Sequence, residues 1–204
     1  MQRTETRRRI LDAALHLFSQ KGYHHTRMDD IVRASGVSKG GVYHHFPGKE
    51  TLFFTLMDEF AGLLEQRLRR AVDRAPSDTA RLTAALEEGM RLLERYHLLA
   101  KIVFVQASGL GPAFEGKRLN LLERLARFVR EELDRAVARG LISPLDTDVV
   151  AHAWVGALYE WAVRWLLTGA PAPQEVLPEL RAFFLRSLGH PAAPSSTSSG
   201  EPSP

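Results

Sequence analysis

Apolar residues recur along this chain at spacings of three and four, and no stretch alternates convincingly every second position. Ile10, Leu11, Ala14, Leu15, Leu17 and Phe18 form a first helical stripe, which Gly22 should end. A short helix is predicted over 28–35, a turn at Gly36, and a second short helix from Ser38 to His45. Apolar positions 52, 53, 56, 57, 60, 63, 64, 68 and 72 then mark a long helix from Lys49 to about Ala75, stopped by Pro76. Ser77 and Asp78 offer a cap for the next helix, which Leu82, Leu86, Met90 and Leu93 carry to about Tyr96. The run "LLAKIVFVQAS" is nearly all apolar and should be central, and "GLGPAFEG" breaks it. A charged amphipathic helix follows over about 117–139, then a very hydrophobic one over about 147–167 and a last one over about 174–188. The pattern predicts an all-α fold of about nine helices, with "GHPAAPSSTSSGEPSP" (189–204) as a disordered tail.

Composition narrows the class. The chain has 204 residues, 45% hydrophobic and 25% charged, as a globular protein of one medium or two small domains should. It has no cysteine, so disulfides and thiolate metal sites are excluded. The basic N-terminus has no long apolar core before small residues, and no run of about 18 apolar residues exists anywhere, so neither a signal peptide nor a membrane span is expected. A cytoplasmic location is the expectation. Net charge is +3, and the first fifty residues carry nine Lys/Arg against five Asp/Glu, while the rest is nearly balanced. A basic head on a near-neutral body suits a polyanionic partner, although an ordinary solvated surface has the same composition.

Two short helices joined by a glycine turn form the helix-turn-helix pattern, whose second helix enters the DNA major groove. "GVSKGGVYHHF" is a poor helix, because each interior glycine costs about 0.5–1 kcal/mol. The glycines make sense where backbone must approach a groove wall. Ser38 can cap the helix and Lys39 brings charge to its start. Val37 and Val42 can pack inward on Ile31. Tyr43, His44 and Lys49 are residue types that bind phosphate oxygens, and Thr26 could add a hydroxyl. The alternative for Tyr43 and His45 is plain packing. His24, His25, His44 and His45 lack the facing geometry of a metal site, so no metal is expected.

The span from Gly22 to Phe53 resembles the DNA-binding head of the tetracycline-repressor (TetR) family at Gly22, Thr26, Ile31, Ala34, Gly36, Val37, Ser38, Gly40, Tyr43, His45, Phe46, Lys49 and Leu52. The resemblance covers about the first quarter of the chain. It implies phosphate contacts from Thr26, Tyr43 and Lys49, base proximity for Lys39, Gly40 and Gly41, and a DNA-binding set completed by Arg27, Ser38 and His44. It departs from the pattern at Gly41 and Gly48. Domains of 1–48 (head) and 49–188 (ligand binding and dimerisation, with 49–75 connecting) are expected. The resemblance also implies a homodimer on a palindromic operator of double-stranded DNA, with repression released by an effector.

The body is less specific. Trp154, Leu158, Trp161 and Trp165 share one helical face and suit an interface or a cavity wall. Trp154, Leu158, Trp165, Leu180 and Phe184 are assigned to the dimer interface. Phe104, Gln106, Leu110, Phe114 and Trp161 are assigned to a mostly apolar pocket, with Arg118, Arg124 and Arg127 near its mouth beside Lys117. That combination suits an amphiphile such as an acyl-coenzyme A, and "GALYEWAVRWLLTG" resembles acyl-CoA-responsive family members that control fatty-acid degradation. A planar aromatic or drug-like ligand stacked on the tryptophans is the alternative, and a solvated face of Arg–Glu pairs such as Arg127–Glu131 explains the charges without a ligand. No cofactor is expected beyond the effector. No catalytic set emerges: Glu87–Glu88 and Asp58–Glu59 are sequence neighbours that diverge on a helix. A helix-turn-helix protein that binds only other proteins is the rival of a different class.

Overall fold

The computed structural model describes residues 2–107 and 109–189, so the expected tail beyond Gly189 lies outside the described residues. Those residues form nine α-helices with no strand among them. They are α1 (Gln2–His25), α2 (Met28–Ser35), α3 (Lys39–His45), α4 (Lys49–Asp73), α5 (Arg81–Arg95), α6 (His97–Lys101), α7 (Pro112–Ala138), α8 (Thr147–Thr168) and α9 (Pro173–Ser187). A 3-10 turn (Asp78–Ala80) precedes α5, and a π-helical turn (Ile102–Gln106) continues α6. The apolar run expected to be central is built from α6 and this wider π turn, which buries Ile102, Val103 and Phe104.

Local chemistry accounts for the boundaries. Gly22, at φ 78°, breaks the helical path of α1 three residues before its end. The Asp30 carboxylate accepts from the Arg27 N–H at the start of α2, and Gly36 ends that helix in the left-handed region at φ 63°. Any Cβ at Gly36 would also meet an Arg9 nitrogen at 2.8 Å, and Arg9 donates to the carbonyls of Ser35 and Gly36. Asp146 caps α8 by accepting from the Val149 N–H at 3.1 Å. Gly48 gives α4 no side-chain cap.

Apolar packing runs unbroken across residue 48. One cluster joins Ile10, Phe18, Ile31 and Val42 of the head to Phe53, Phe60, Val103 and Phe114 beyond it. Tyr23, Phe53 and Phe54 all pack on Phe114, the third residue of α7, with ring centroids 4.8–5.3 Å apart. A second cluster, including Leu133, Ala151, Trp154 and Phe184, closes the far end of the body. Between them, α4 lies along α7 and the two are joined by Asp58–Lys117 at 2.7 Å, Glu65–Arg124 at 2.6 Å and Glu131–Arg69 at 3.2 Å.

Candidate nucleic-acid interface and ligand cavity

Val42 is fully buried and anchors α3 to the head. At about 100° per residue, Gly40 and His44 lie opposite Val42, at the centre of the outward face, with Lys39 and Tyr43 to one side. Lys39, Gly40, Tyr43 and His44 are all exposed. The site of a Cβ on Gly40 meets no atom within 4 Å, so the helix backbone is bare there. Gly41 differs: a Cβ would lie 2.9 Å from Val37 Cγ1 and 3.1 Å from Ser38 Oγ, and its N–H donates to that same Ser38 hydroxyl at 3.2 Å. Gly41 is thus needed by the cap, Gly40 only by what approaches from outside. Lys39 pairs with Asp29 of α2 at 3.1 Å, which raises the lysine's pKa. Arg27, at the N-terminal end of α2, is exposed.

Two expectations in the head need correcting. Thr26 has no exposed surface, and its hydroxyl donates to the Gly22 carbonyl at 2.8 Å. It satisfies the chain reversal between α1 and α2 and presents no hydroxyl to a phosphate. The Lys49 ammonium is not a free cation either. It donates to the Tyr23 carbonyl at 2.8 Å, reaches the His24 carbonyl at 3.5 Å, and stands 4.3 Å over the Tyr23 ring. Burial lowers its pKa. Lys49 ties the start of α4 to the end of α1, where a cation satisfies the last helical carbonyls.

In the body, a cavity of about 160 Å³ separates α5 and α9 from α7 and α8, with α4 along one side. Phe60, Leu64 and Leu68 of α4 line it, as do Leu82, Leu86, Met90 and Leu93 down one face of α5. Of the residues assigned to a pocket, Phe104 and Trp161 line this cavity, and the Trp161 indole N–H is buried without a partner among the described residues. The other expected pocket residues are placed elsewhere. Phe114 belongs to the aromatic cluster against the head, while Gln106 and Leu110 are not in the cavity wall. The basic mouth dissolves into ion pairs: Arg118 holds Glu115 and covers the Tyr159 ring at 5.1 Å, and Arg124 holds Glu65 through two hydrogen bonds. Arg127 is exposed outside the wall. The charged residue that does line the cavity is Arg181 of α9, which sequence reasoning missed because it stands alone among apolar neighbours.

The interface assignments shift similarly. Trp154 and Phe184 are buried against each other within the chain, 4.7 Å apart, with the Trp154 N–H on Ser187 Oγ at 3.1 Å. Leu158 faces the cavity. These three are spent on packing inside one chain. Trp165 stacks on Trp161 and is half-buried, as is Leu180. The outward apolar surface of α8 and α9 is instead Val149, Leu167 and Phe183, exposed by 63%, 63% and 53%, with Ala153 and Gly156 between the first two.

A helix-turn-helix head fused through one long helix to a cavity-bearing helical body is the architecture of a DNA-binding regulator. Residues 10–56 match the model for bacterial regulatory proteins of the tetR family. The chain is 30% identical over 142 residues to the transcriptional regulator UidR of Escherichia coli, covering 68% of this chain and 70% of that one. It is 28% identical over 182 residues to the repressor KstR2 of Mycolicibacterium smegmatis, covering 85% of each. Among solved structures it is similar to the fatty acid degradation regulator FadR of Bacillus halodurans (TM-score 0.83, 22% identity, 91% of this chain and 97% of that one). It is also similar to AibR, solved with isovaleryl coenzyme A and operator DNA (TM-score 0.69, 25% identity, 87% and 97%). The chain belongs to the TetR family of transcriptional regulators and is not an enzyme. Among the described residues no helix is long and apolar enough to cross a membrane, and no group of three or more His, Asp or Glu could hold a metal ion.

Proposed function

We propose that the protein is a cytoplasmic homodimeric repressor that leaves a palindromic operator when a hydrophobic effector, an acyl-coenzyme A, fills the cavity of the body. The observation that carries this reading is the shared use of α4: Phe60, Leu64 and Leu68 wall the cavity, while Phe53 and Lys49 of the same helix are packed and hydrogen-bonded into the head. A ligand that displaces the α4 wall displaces the head. Two heads on a symmetric dimer would meet successive major grooves about 34–36 Å apart, so a small rotation spoils the fit. Lys39, Tyr43 and His44 would face the duplex from α3, with Arg27 toward phosphate. Support for the effector class comes from the apolar wall and from the acyl-CoA bound to AibR. Val149, Leu167 and Phe183 would meet their copies across the dimer axis.

The stacked Trp161–Trp165 pair, with rings 9° from parallel, and the unpartnered Trp161 N–H favour a second reading, an aromatic effector with a hydrogen-bond acceptor. The test is release of a duplex selected from a random pool by this protein, titrated with acyl-CoAs and with planar aromatics of similar hydrophobicity. Release by acyl-CoA at micromolar levels is expected. Release by the aromatics alone would replace the acyl-CoA reading with the second.

A further inference from the structure

We propose that Arg181 is the anchor for the anionic end of the effector, so that the cavity selects amphiphiles that end in a carboxylate or phosphate over neutral chains of equal length. This deepens the effector reading above and rests on it. Arg181 is the one charged side chain in a wall otherwise built from apolar residues, Thr83, Tyr159 and Trp161, with no acidic residue among them. It is exposed, and among the described residues it makes no hydrogen bond or ion pair. The cations that the sequence offered for this task behave otherwise. Lys117, Arg118 and Arg124 each hold a carboxylate of the same chain. A guanidinium left without a carboxylate at the edge of an apolar cavity is a forked donor awaiting an anion.

Placement agrees with this. Arg181 is one turn from Phe184 and Leu185, which also line the cavity, so it stands on the cavity side of α9. Phe183 lies about 160° around that helix, on the outward surface, which keeps the guanidinium clear of the apolar patch. The wall follows α5 from Leu82 to Leu93, a distance of about 16 Å at 1.5 Å per residue. An extended hydrocarbon advances about 1.25 Å per carbon from its ~1.5 Å bonds, so a chain of roughly a dozen carbons matches that length. The chain would lie along α5, with its charged end at Arg181.

The experiment follows tryptophan fluorescence of the full-length protein, since Trp154 and Trp161 line the cavity. Dodecanoate, dodecanoyl-CoA and 1-dodecanol are titrated into the wild type, Arg181→Gln and Arg127→Gln. In the wild type both anions should bind about tenfold tighter than the alcohol, as a charge-assisted hydrogen bond allows. Arg181→Gln should erase that preference and leave alcohol affinity unchanged, while Arg127→Gln should change nothing. A loss seen only with dodecanoate identifies the carboxylate as the anchored group, and one seen only with dodecanoyl-CoA identifies the phosphates. An intact preference in Arg181→Gln overturns the inference and leaves the hydrophobic-effector reading standing. Failure of all three compounds to bind the wild type overturns that reading and this one with it.

Discussion

Substituting alanine separately at the two adjacent glycines of α3 should move stability in opposite senses, and at Gly40 the gain in stability should come with a loss of DNA affinity. At Gly40 a new Cβ meets nothing within 4 Å, so the only folding term is propensity. Near a helix start that gain is about half the interior value, or about 0.5 kcal/mol, which for a chain of this size raises Tm by about 1–2 °C. At Gly41 the Cβ would press on Val37 Cγ1 at 2.9 Å and on the Ser38 hydroxyl at 3.1 Å. Displacing that hydroxyl forfeits the cap, which costs about 1 kcal/mol and lowers Tm by about 2–4 °C. On DNA the Gly40 methyl would stand between backbone and groove floor. Loss of one base-edge contact, about 1–3 kcal/mol, weakens selected duplexes at least fivefold. Calorimetry gives the first quantity and fluorescence anisotropy with the selected duplex the second. A Gly40→Ala protein that is more stable and binds with wild-type affinity would refute the close approach of α3 to the bases.

Three further outcomes are expected. Glu132 is 6% exposed and holds Arg81 through contacts of 2.5 and 2.9 Å, so Glu132→Gln should cost about 2 kcal/mol by leaving a half-buried cation with only the Val72 carbonyl and the more distant Asp73, visible as a Tm fall of about 4–8 °C. The Arg124 hydrogen bond lowers the Glu65 pKa below its usual 4.5. A lowered folded value means that this carboxylate's stabilisation is complete above the unfolded pKa and is lost as pH falls through the folded one, so wild type should lose stability relative to Glu65→Gln below about pH 4.5 in an acid urea series. Phe183→Glu, a charge placed on the outward patch of α9, should yield monomers in sedimentation without loss of helical circular dichroism.

How much of this was readable in advance depended on whether the signal was local. Helices 28–35 and 147–168 were legible nearly to the residue, because Gly36, Asp146 and Gly169 punctuate clean periodicity. The head was legible for the same reason, since its packing set is close in sequence. Thr26 and Lys49 resemble phosphate ligands by residue type, yet each finds a backbone carbonyl of α1 first. The tryptophan stripe on α8 was real, but periodicity cannot say what a face meets. Trp154 meets Phe184 and Trp161 meets the cavity. Arg118, Arg124 and Lys117 looked like a cationic cluster because their partners, apart from Glu115, lie 59 residues away on α4.

Those pairings bear on how a body could move a head. Asp58, Glu65 and Arg69 each hold a partner on α7, in the same order along both helices, so α4 and α7 run side by side as one coupled unit. The unit reaches the head twice, through Lys49 on the end of α1 and through Phe114 against Tyr23, Phe53 and Phe54. A ligand pressing on Phe60 and Leu64 therefore works against two connected levers rather than one free helix. Exposed ion pairs contribute at most about 1 kcal/mol each, whereas the buried aromatic contacts resist deformation more strongly. Differential binding of about 1–3 kcal/mol between the two head positions suffices for regulation. On the proposed function the molecule would yield at the cavity, and the head would follow because it is packed to helices that bound it.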